Sequence, residues 1–236
     1  MIADTPVLSA QNLTKTYGST TALDGVSATV RAGEAVAVMG ASGSGKTTLL
    51  HCLAGIVLPD TGSVRLFGTA TGVPAEITSL DDAARSALRR TEFGFVFQQG
   101  LLIPELTAGE NVALALMLNG TPRQVAEQQA AAALAALGLA GMEGRRIGEL
   151  SGGQAQRVAI ARAQVNGARV LFADEPTGAL DSRTSADVMA LLLQSVAGTG
   201  RALVVVTHDP EVARWCSRVL TLADGRIVAD TAGVAR

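Results

Sequence analysis

Four short apolar runs recur along the chain, at 35–39, 93–97, 170–173 and 202–206, with helix-like stretches between them. Runs of that length with no polar alternation predict strands buried on both faces, and so a largely parallel sheet covered by helices. Alternating patterns at 7–16, 27–30 and 63–67 predict half-buried antiparallel strands that form a smaller sheet beside it. Near the C-terminus, Asp224-Gly225 separates the apolar segments 219–223 and 226–229. Both central residues tolerate positive φ, so a β-hairpin is expected there.

The middle of the chain changes period. Segments 107–119 and 121–137 carry helical spacing, and Thr121-Pro122-Arg123-Gln124 predicts a capped helix start with proline in the first turn. Gly138 is the expected C-cap, and the alanine-rich run after Ala130 reads as plain helix. The pattern therefore predicts an α/β fold in one domain over 1–236, with a helical subdomain over roughly 99–165. No repeat or low-complexity linker divides the chain.

Composition narrows the class. At 48% hydrophobic and 17% charged residues, the chain is not disordered and should bury a large core. Its longest apolar stretches, such as 112–118, fall short of the roughly 18–20 residues that span a bilayer. The first fifteen residues lack the charged start and apolar centre of a secretory signal, so the chain is expected to stay in the cytoplasm. A formal net charge of −2 gives no general reason to expect nucleic acid as a partner. Cys52 and Cys216 have no metal-ligand spacing and read as reduced, buried thiols. Of 19 basic residues only Lys15 and Lys46 are lysine, leaving seventeen arginines. A lysine kept against that bias is a candidate for chemistry that needs a compact ammonium.

Lys46 lies in Gly40-Ala41-Ser42-Gly43-Ser44-Gly45-Lys46-Thr47, which matches G-x-x-x-x-G-K-[ST] between a predicted strand and a predicted helix over 48–54. Such a loop curls so that backbone N–H groups face phosphate oxygens, with the positive end of the helix behind them. The nucleotide contacts expected are Gly40, Ser42, Gly43, Ser44, Gly45, Lys46, Thr47 and Thr48. A triphosphate would sit there, with Lys46 neutralising its β- and γ-phosphates and the Thr47 hydroxyl ligating Mg²⁺.

The run 170–173 ends in Asp174-Glu175 at the carboxyl edge of the sheet, where open α/β sheets bind ligands. Two acids there suggest two tasks. Asp174 would hold Mg²⁺ and Glu175 would polarise the attacking water as general base. Carboxylates also favour helix N-termini for dipole reasons, which is the plainer reading of the pair. Run 202–206 ends in Thr207-His208-Asp209; a strand-end histidine alone is more often structural, and here the neighbouring motifs favour catalysis. His51 has no such context and is read as structural.

Leu150-Ser151-Gly152-Gly153-Gln154, continued by Ala155-Gln156-Arg157, resembles the signature of ABC-transporter ATPases, and the resemblance runs from Val7 to the C-terminal hairpin. It implies a phosphate-loop ATPase of ABC type, with an antiparallel β subdomain and a helical subdomain around the core sheet. It implies that Ser151, Gly152, Gly153 and Gln154 bind the γ-phosphate held by a second subunit, a copy of this chain or a related ATPase chain. Unobstructed N–H groups at Ser151, Gly152 and Gly153 would suit that task. The resemblance further assigns Tyr17 to adenine stacking, Gln98 to Mg²⁺, the water and the membrane side, Asp181 to the dimer interface, and His208 to the γ-phosphate. Catalysis would thus rest on Glu175, His208, Lys46 and Gln98, with Thr47, Gln98 and Asp174 at the metal.

Leu88-Arg89-Arg90, 93–98, Pro104-Glu105-Leu106-Thr107 and 174–181 are most similar to the branch for macrolide export, lipoprotein release and antimicrobial-peptide export. Gly100, Leu101 and Gly109 differ from that branch's usual choices; Ala155 and Gln164 differ from the family's common glutamine and leucine. The implied function is a motor that dimerises around two ATP and drives a separate integral-membrane permease from the inner face of the membrane. Export or extraction of a hydrophobic compound, peptide or lipoprotein leads. An importer, a cell-division complex and a soluble ABC ATPase without a transport role are the alternatives.

Overall fold

The two kinds of apolar pattern produce two sheets. In the computed structural model, which describes residues 5–68, 73–98 and 100–231, the antiparallel sheet contains β1 (Pro6–Tyr17), β2 (Thr20–Arg31), β4 (Thr61–Leu66) and β5 (Ala75–Glu76) in the order β2-β1-β4-β5. The second sheet holds β3 (Ala35–Met39), β6 (Phe93–Phe97), β7 (Val170–Asp174), β8 (Ala202–Val206), β9 (Arg218–Ala223) and β10 (Arg226–Asp230). Its order is β10-β9-β3-β8-β7-β6. All its neighbours pair in parallel except β9 and β10, which form the expected hairpin.

Why the central strands are apolar throughout follows from what lies on each face. Val36, Val38, Phe172, Val204 and Val206 point into a core shared with the antiparallel sheet, filled by Leu49, Leu50 and Leu53 of helix α1 (Lys46–Leu53). Ala35, Ala37, Leu171, Ala173, Leu203 and Val205 point to the opposite core. There they meet α3 (Ala108–Met117), α5 (Gly152–Gln164), α6 (Ser182–Gln194) and α7 (Pro210–Arg214), with α4 (Arg123–Ala136) packed beyond. Both faces are apolar, so no polar position occurs along these strands until the carboxyl end of β7, at Asp174. Helix α2 (Asp82–Glu92) buries no residue fully and is fastened by Arg89 Nη1, which donates to the Gly55 carbonyl at 2.6 Å.

Three expectations are revised. The helix after the glycine-rich loop begins at Lys46, and β2 begins at Thr20 rather than residue 27. Thr121 does not cap α4: Pro122 is the N-cap residue and no side chain bonds the first turn. A residue before proline is held extended, which carries its hydroxyl away from the helix start, and the Thr121 N–H goes to the Leu116 carbonyl at 3.2 Å. The reciprocal cap forms instead at α3, where Thr107 Oγ1 accepts from the Glu110 N–H at 3.2 Å and the Glu110 carboxylate accepts from the Thr107 N–H at 2.8 Å. Gly138 does close α4: its N–H reaches the Ala135 carbonyl and the Leu139 N–H reaches that of Leu134, both at 3.0 Å.

The hairpin turn has Asp224 and Gly225 at φ 48° and 74°, and it abuts the glycine-rich loop. The Gly225 N–H donates to the Ser44 carbonyl at 3.2 Å, and the Asp24 N–H donates to the Gly225 carbonyl at 2.8 Å. Arg218 fastens the hairpin from below, with Nε and Nη2 on the Asp230 carboxylate (2.8 and 2.7 Å) and Nη1 on the Thr29 carbonyl (2.7 Å). Cys52 and Cys216 are buried, and burial pushes their thiols up to about 11 and about 12. Both stay protonated and unreactive at neutral pH. Among the described residues no helix is long and apolar enough to cross a membrane.

Gln164 is a local flaw in this packing. Its amide nitrogen is buried and has no hydrogen-bond partner among the described residues. An unpaired buried donor costs about 1–3 kcal/mol, whereas an apolar group of similar shape does not. Gln164→Leu is therefore expected to raise stability by about 1 kcal/mol, read as a higher urea midpoint at unchanged slope. A lower midpoint would mean that the carbonyl half of the amide is worth more than the orphaned nitrogen costs.

Candidate active site

The loop from Gly40 to Thr47 joins the end of β3 to α1, at the carboxyl edge of the parallel sheet. Its conformation demands glycine where it meets β2. Gly45 has φ 102°, and a Cβ there would stand 2.2 Å from the Ala22 carbonyl oxygen. Lys46 folds back across the loop, its ammonium donating to the carbonyls of Gly40 (2.8 Å) and Ala41 (2.7 Å). The Ser44 hydroxyl lies buried behind the loop with no partner among the described residues, and the Ser44 N–H is given to the Ala41 carbonyl at 3.2 Å.

A cavity of about 500 Å³ opens over this loop. It gathers most of the residues singled out by sequence: Ser42, Gly43, Gly45, Lys46, Thr47, Thr48, Asp174, Glu175 and His208 line it, together with Ala22 and Val206. Ser44 and Gly40 support the loop without lining the cavity. Asp174 and Thr47 share a hydrogen bond, the hydroxyl donating to the carboxylate. Burial raises the Asp174 carboxyl above its ordinary range, and the Glu175 charge adds to this; His51, Thr47 and Lys46 pull the other way. His51 thus has an electrostatic link to the site that its sequence context did not suggest.

Glu175 sits at φ 48°, a left-handed conformation that a long side chain adopts at a cost of about 1–3 kcal/mol. The bend is held by its own N–H, which donates to the Val206 carbonyl at 2.9 Å. It carries the carboxylate to β8, where His208 Nδ1 lies 2.7 Å from Oε1 and the Thr207 hydroxyl donates to Oε2 at 3.3 Å. A carboxylate only accepts, so Nδ1 bears the proton and Nε2 remains for another partner. Thr207 escaped the sequence reading. Its signal was a hydroxyl at the exit of a wholly apolar strand.

The remaining predicted residues lie outside this cavity. Tyr17, at the end of β1, is half exposed, with Lys15 Nζ 5.6 Å from its ring centre. Gln98 crosses the loop after Glu175: a Cβ on Gly178 would stand 2.8 Å from Gln98 Nε2. Asp181 caps α6, accepting from the Thr184 N–H at 2.9 Å and its hydroxyl at 2.8 Å, bonds that hold its carboxyl below the usual range. Ser151 caps α5, with Gln154 returning the bond. The Ser151 N–H is thus already donated to Gln154 Oε1 at 2.9 Å, and among the described residues Gly152 and Gly153 are left with helix-start N–H groups that no helix carbonyl or cap takes up. Ser151, Gly153 and Gln154 line a separate depression of about 230 Å³ with Arg157, Thr184 and Asp187.

A parallel sheet with a glycine-rich loop, an adjacent lysine, a Thr-Asp pair and a hydrogen-bonded glutamate at its carboxyl edge defines a phosphate-loop nucleoside triphosphatase fold. Residues 23–178 match the model of the ABC transporter family. The chain belongs to that family and is an ATP-hydrolysing cassette of it. It is 44% identical over 233 residues to the pyoverdine export ATP-binding/permease protein PvdT of Pseudomonas fluorescens, an overlap that takes 97% of this chain and 34% of the relative. The macrolide export ATP-binding/permease protein MacB 1/2 of Paracoccus denitrificans is 50% identical over 198 residues, 84% of this chain and 29% of the relative. This chain therefore spans about a third of the length of these relatives. A dimeric post-hydrolysis state of the ATP-binding cassette MJ0796, bound to ADP and Pi, superposes with a TM-score of 0.83 at 38% identity, covering 94% of this chain and 97% of that one.

Proposed function

We propose that the chain is the motor of an export-type ABC transporter, closing with a second copy around two ATP and driving an integral-membrane permease. One observation carries this reading. The loop, Lys46 and Glu175 share one cavity, while Ser151, Gly153 and Gln154 line another on the same chain. A second subunit, a copy or a related ATPase chain, is what can bring the two halves onto one nucleotide. The bases of Tyr17, Gln98 and Asp181 as site residues are the same: each is exposed or aimed at a loop rather than packed into a core.

In this mechanism the loop N–H groups and Lys46 cradle the phosphates, the ammonium turning from the Gly40 and Ala41 carbonyls to the nucleotide. Thr47 and Asp174 offer hard oxygen donors suited to Mg²⁺, with Gln98 reaching toward it. When bound, the metal neutralises charge on the β- and γ-phosphates. Glu175 orients the attacking water and takes its proton, and His208 steadies Glu175 through its Nδ1–H; a bond from Nε2 to the γ-phosphate requires a proton on that nitrogen as well, since phosphate oxygens only accept. Tyr17 stacks on adenine, and Gly152 and Gly153 complete the partner's site.

The whole of 1–236 acts as one ATPase domain, with 99–165 as its helical subdomain. The permease docks in the groove of about 330 Å³ between α2, β6, α3 and α5, where Phe95, Phe97, Leu101 and Leu118 meet Arg89, Arg90 and Arg162. That contact holds the chain at the inner face of the membrane, on the cytoplasmic side. The cargo is a hydrophobic compound, peptide or lipoprotein; the names of the export relatives favour this class over an importer.

The test is size-exclusion chromatography of Glu175→Gln with and without MgATP. A shift to twice the monomer mass with ATP is expected. A variant that binds ATP and stays at monomer mass would overturn the sandwich and leave the ATPase standing.

A further inference from the structure

Gln156 is 3% exposed, yet it is polar and sits on a stripe of α5 whose other members, Ala159, Ile160 and Ala163, are apolar and buried. Its amide nitrogen donates twice, to the Phe97 carbonyl at 3.1 Å and to the Pro176 carbonyl at 2.8 Å. Phe97 immediately precedes Gln98, and Pro176 immediately follows Glu175. The amide oxygen faces the backbone of Gly100, where a Cβ would stand 3.6 Å away. Two turns along the helix, Arg162 donates to the carbonyls of Gly100 (2.7 Å) and Leu101 (2.8 Å). The start of the same helix is the Ser151–Gln154 segment.

We propose that Gln156 is a positioning residue that ties the helix engaging the partner's ATP to the two loops holding Gln98 and Glu175 at the chain's own ATP. A single nitrogen bonded to both loops makes them move with α5. When a nucleotide bound to the partner draws Gly152 and Gly153 toward its phosphates, Phe97 and Pro176 are displaced together, and the general base is set in the other site. Occupancy of one site thereby adjusts hydrolysis at the other. This rests on the two-chain sandwich proposed above.

Gln156→Met in the full chain keeps an unbranched side chain of similar length and removes both donors. Measured against wild type, its affinity for a fluorescent ATP analogue should stay within about threefold, while kcat falls about tenfold or more. The Hill coefficient of hydrolysis in ATP should drop from above 1 in wild type to 1. Unchanged kcat and Hill coefficient in a folded variant would overturn the proposal, as would loss of ATP affinity in step with a lowered melting temperature, the mark of a merely structural role. A wild-type chain that hydrolyses ATP without cooperativity and never dimerises would remove the sandwich itself, and the tie with it. Should Gln156→Met not fold, amide exchange on Glu175→Gln decides. Protection gained with ATP at 151–156 should be accompanied by protection at 97–101 and 176–181, and protection confined to the helix start refutes the tie.

Discussion

Glu175→Gln should lower ATP turnover roughly 10²- to 10⁴-fold, the usual contribution of a positioned general base, while ATP affinity stays near wild type. Glutamine keeps the length and one acceptor oxygen for His208 Nδ1, its amide N–H can donate to the Thr207 hydroxyl in place of the bond that hydroxyl gave, and the Glu175 N–H bond to the Val206 carbonyl that holds φ at 48° is unchanged. What it loses is the ability to take a proton from water. Single-turnover phosphate release and equilibrium ATP binding, measured side by side, separate the two effects. A residual rate within about threefold of wild type would remove Glu175 as the base and turn attention to Asp174 and the His208 imidazole, which line the same cavity.

Gly45→Ala should damage the loop severely through a single methyl group. At φ 102° any Cβ is strained, and here it would also be 2.2 Å from the Ala22 carbonyl, a backbone atom of β2 that cannot rotate away. Strain and overpacking each cost about 1–3 kcal/mol, so ATP affinity should fall on the order of a hundredfold, with a lower melting temperature. Gly43→Ala is the matched control. Its φ is 80°, but no protein atom lies within 4 Å of the added carbon, so the fold itself bears only the conformational cost of about 1 kcal/mol and the melting temperature should barely move. Calorimetric titration of both variants with ATP checks the contrast. Equal losses would show that the loop is not braced by β2.

Much of this molecule was legible because its strongest signals are local. Apolar runs of four or five residues located β3, β6, β7 and β8 with little error, since burial on both faces leaves no other composition possible. The phosphate loop and Asp174-Glu175 were readable for the same reason: each motif sits at a strand end and so lands on one edge of the sheet. Ser151 and Asp181 were found as residues, but their first task, capping α5 and α6 with their own side chains, was not separated from binding. What stayed hidden was set by distance in sequence. No local pattern could place Thr207 against Glu175, or pair Gln156 with carbonyls 59 and 20 residues away. The misplaced cap at Thr121 shows the converse, a sound local motif overridden by the proline that follows it.

The position of β3 has a consequence for the order of synthesis. Its flanking strands in the sheet are β8 and β9, and the turn after β9 is what meets Ser44 through Gly225. The phosphate loop is translated before β8 and β9, and its strand has no partner in the parallel sheet until residues 202–223 have emerged. A nascent chain on the ribosome therefore holds the loop's sequence long before it can hold the loop's shape. The nucleotide site closes only on strands made well after its loop, and such non-local closure makes folding slow and leaves apolar strands exposed while they wait.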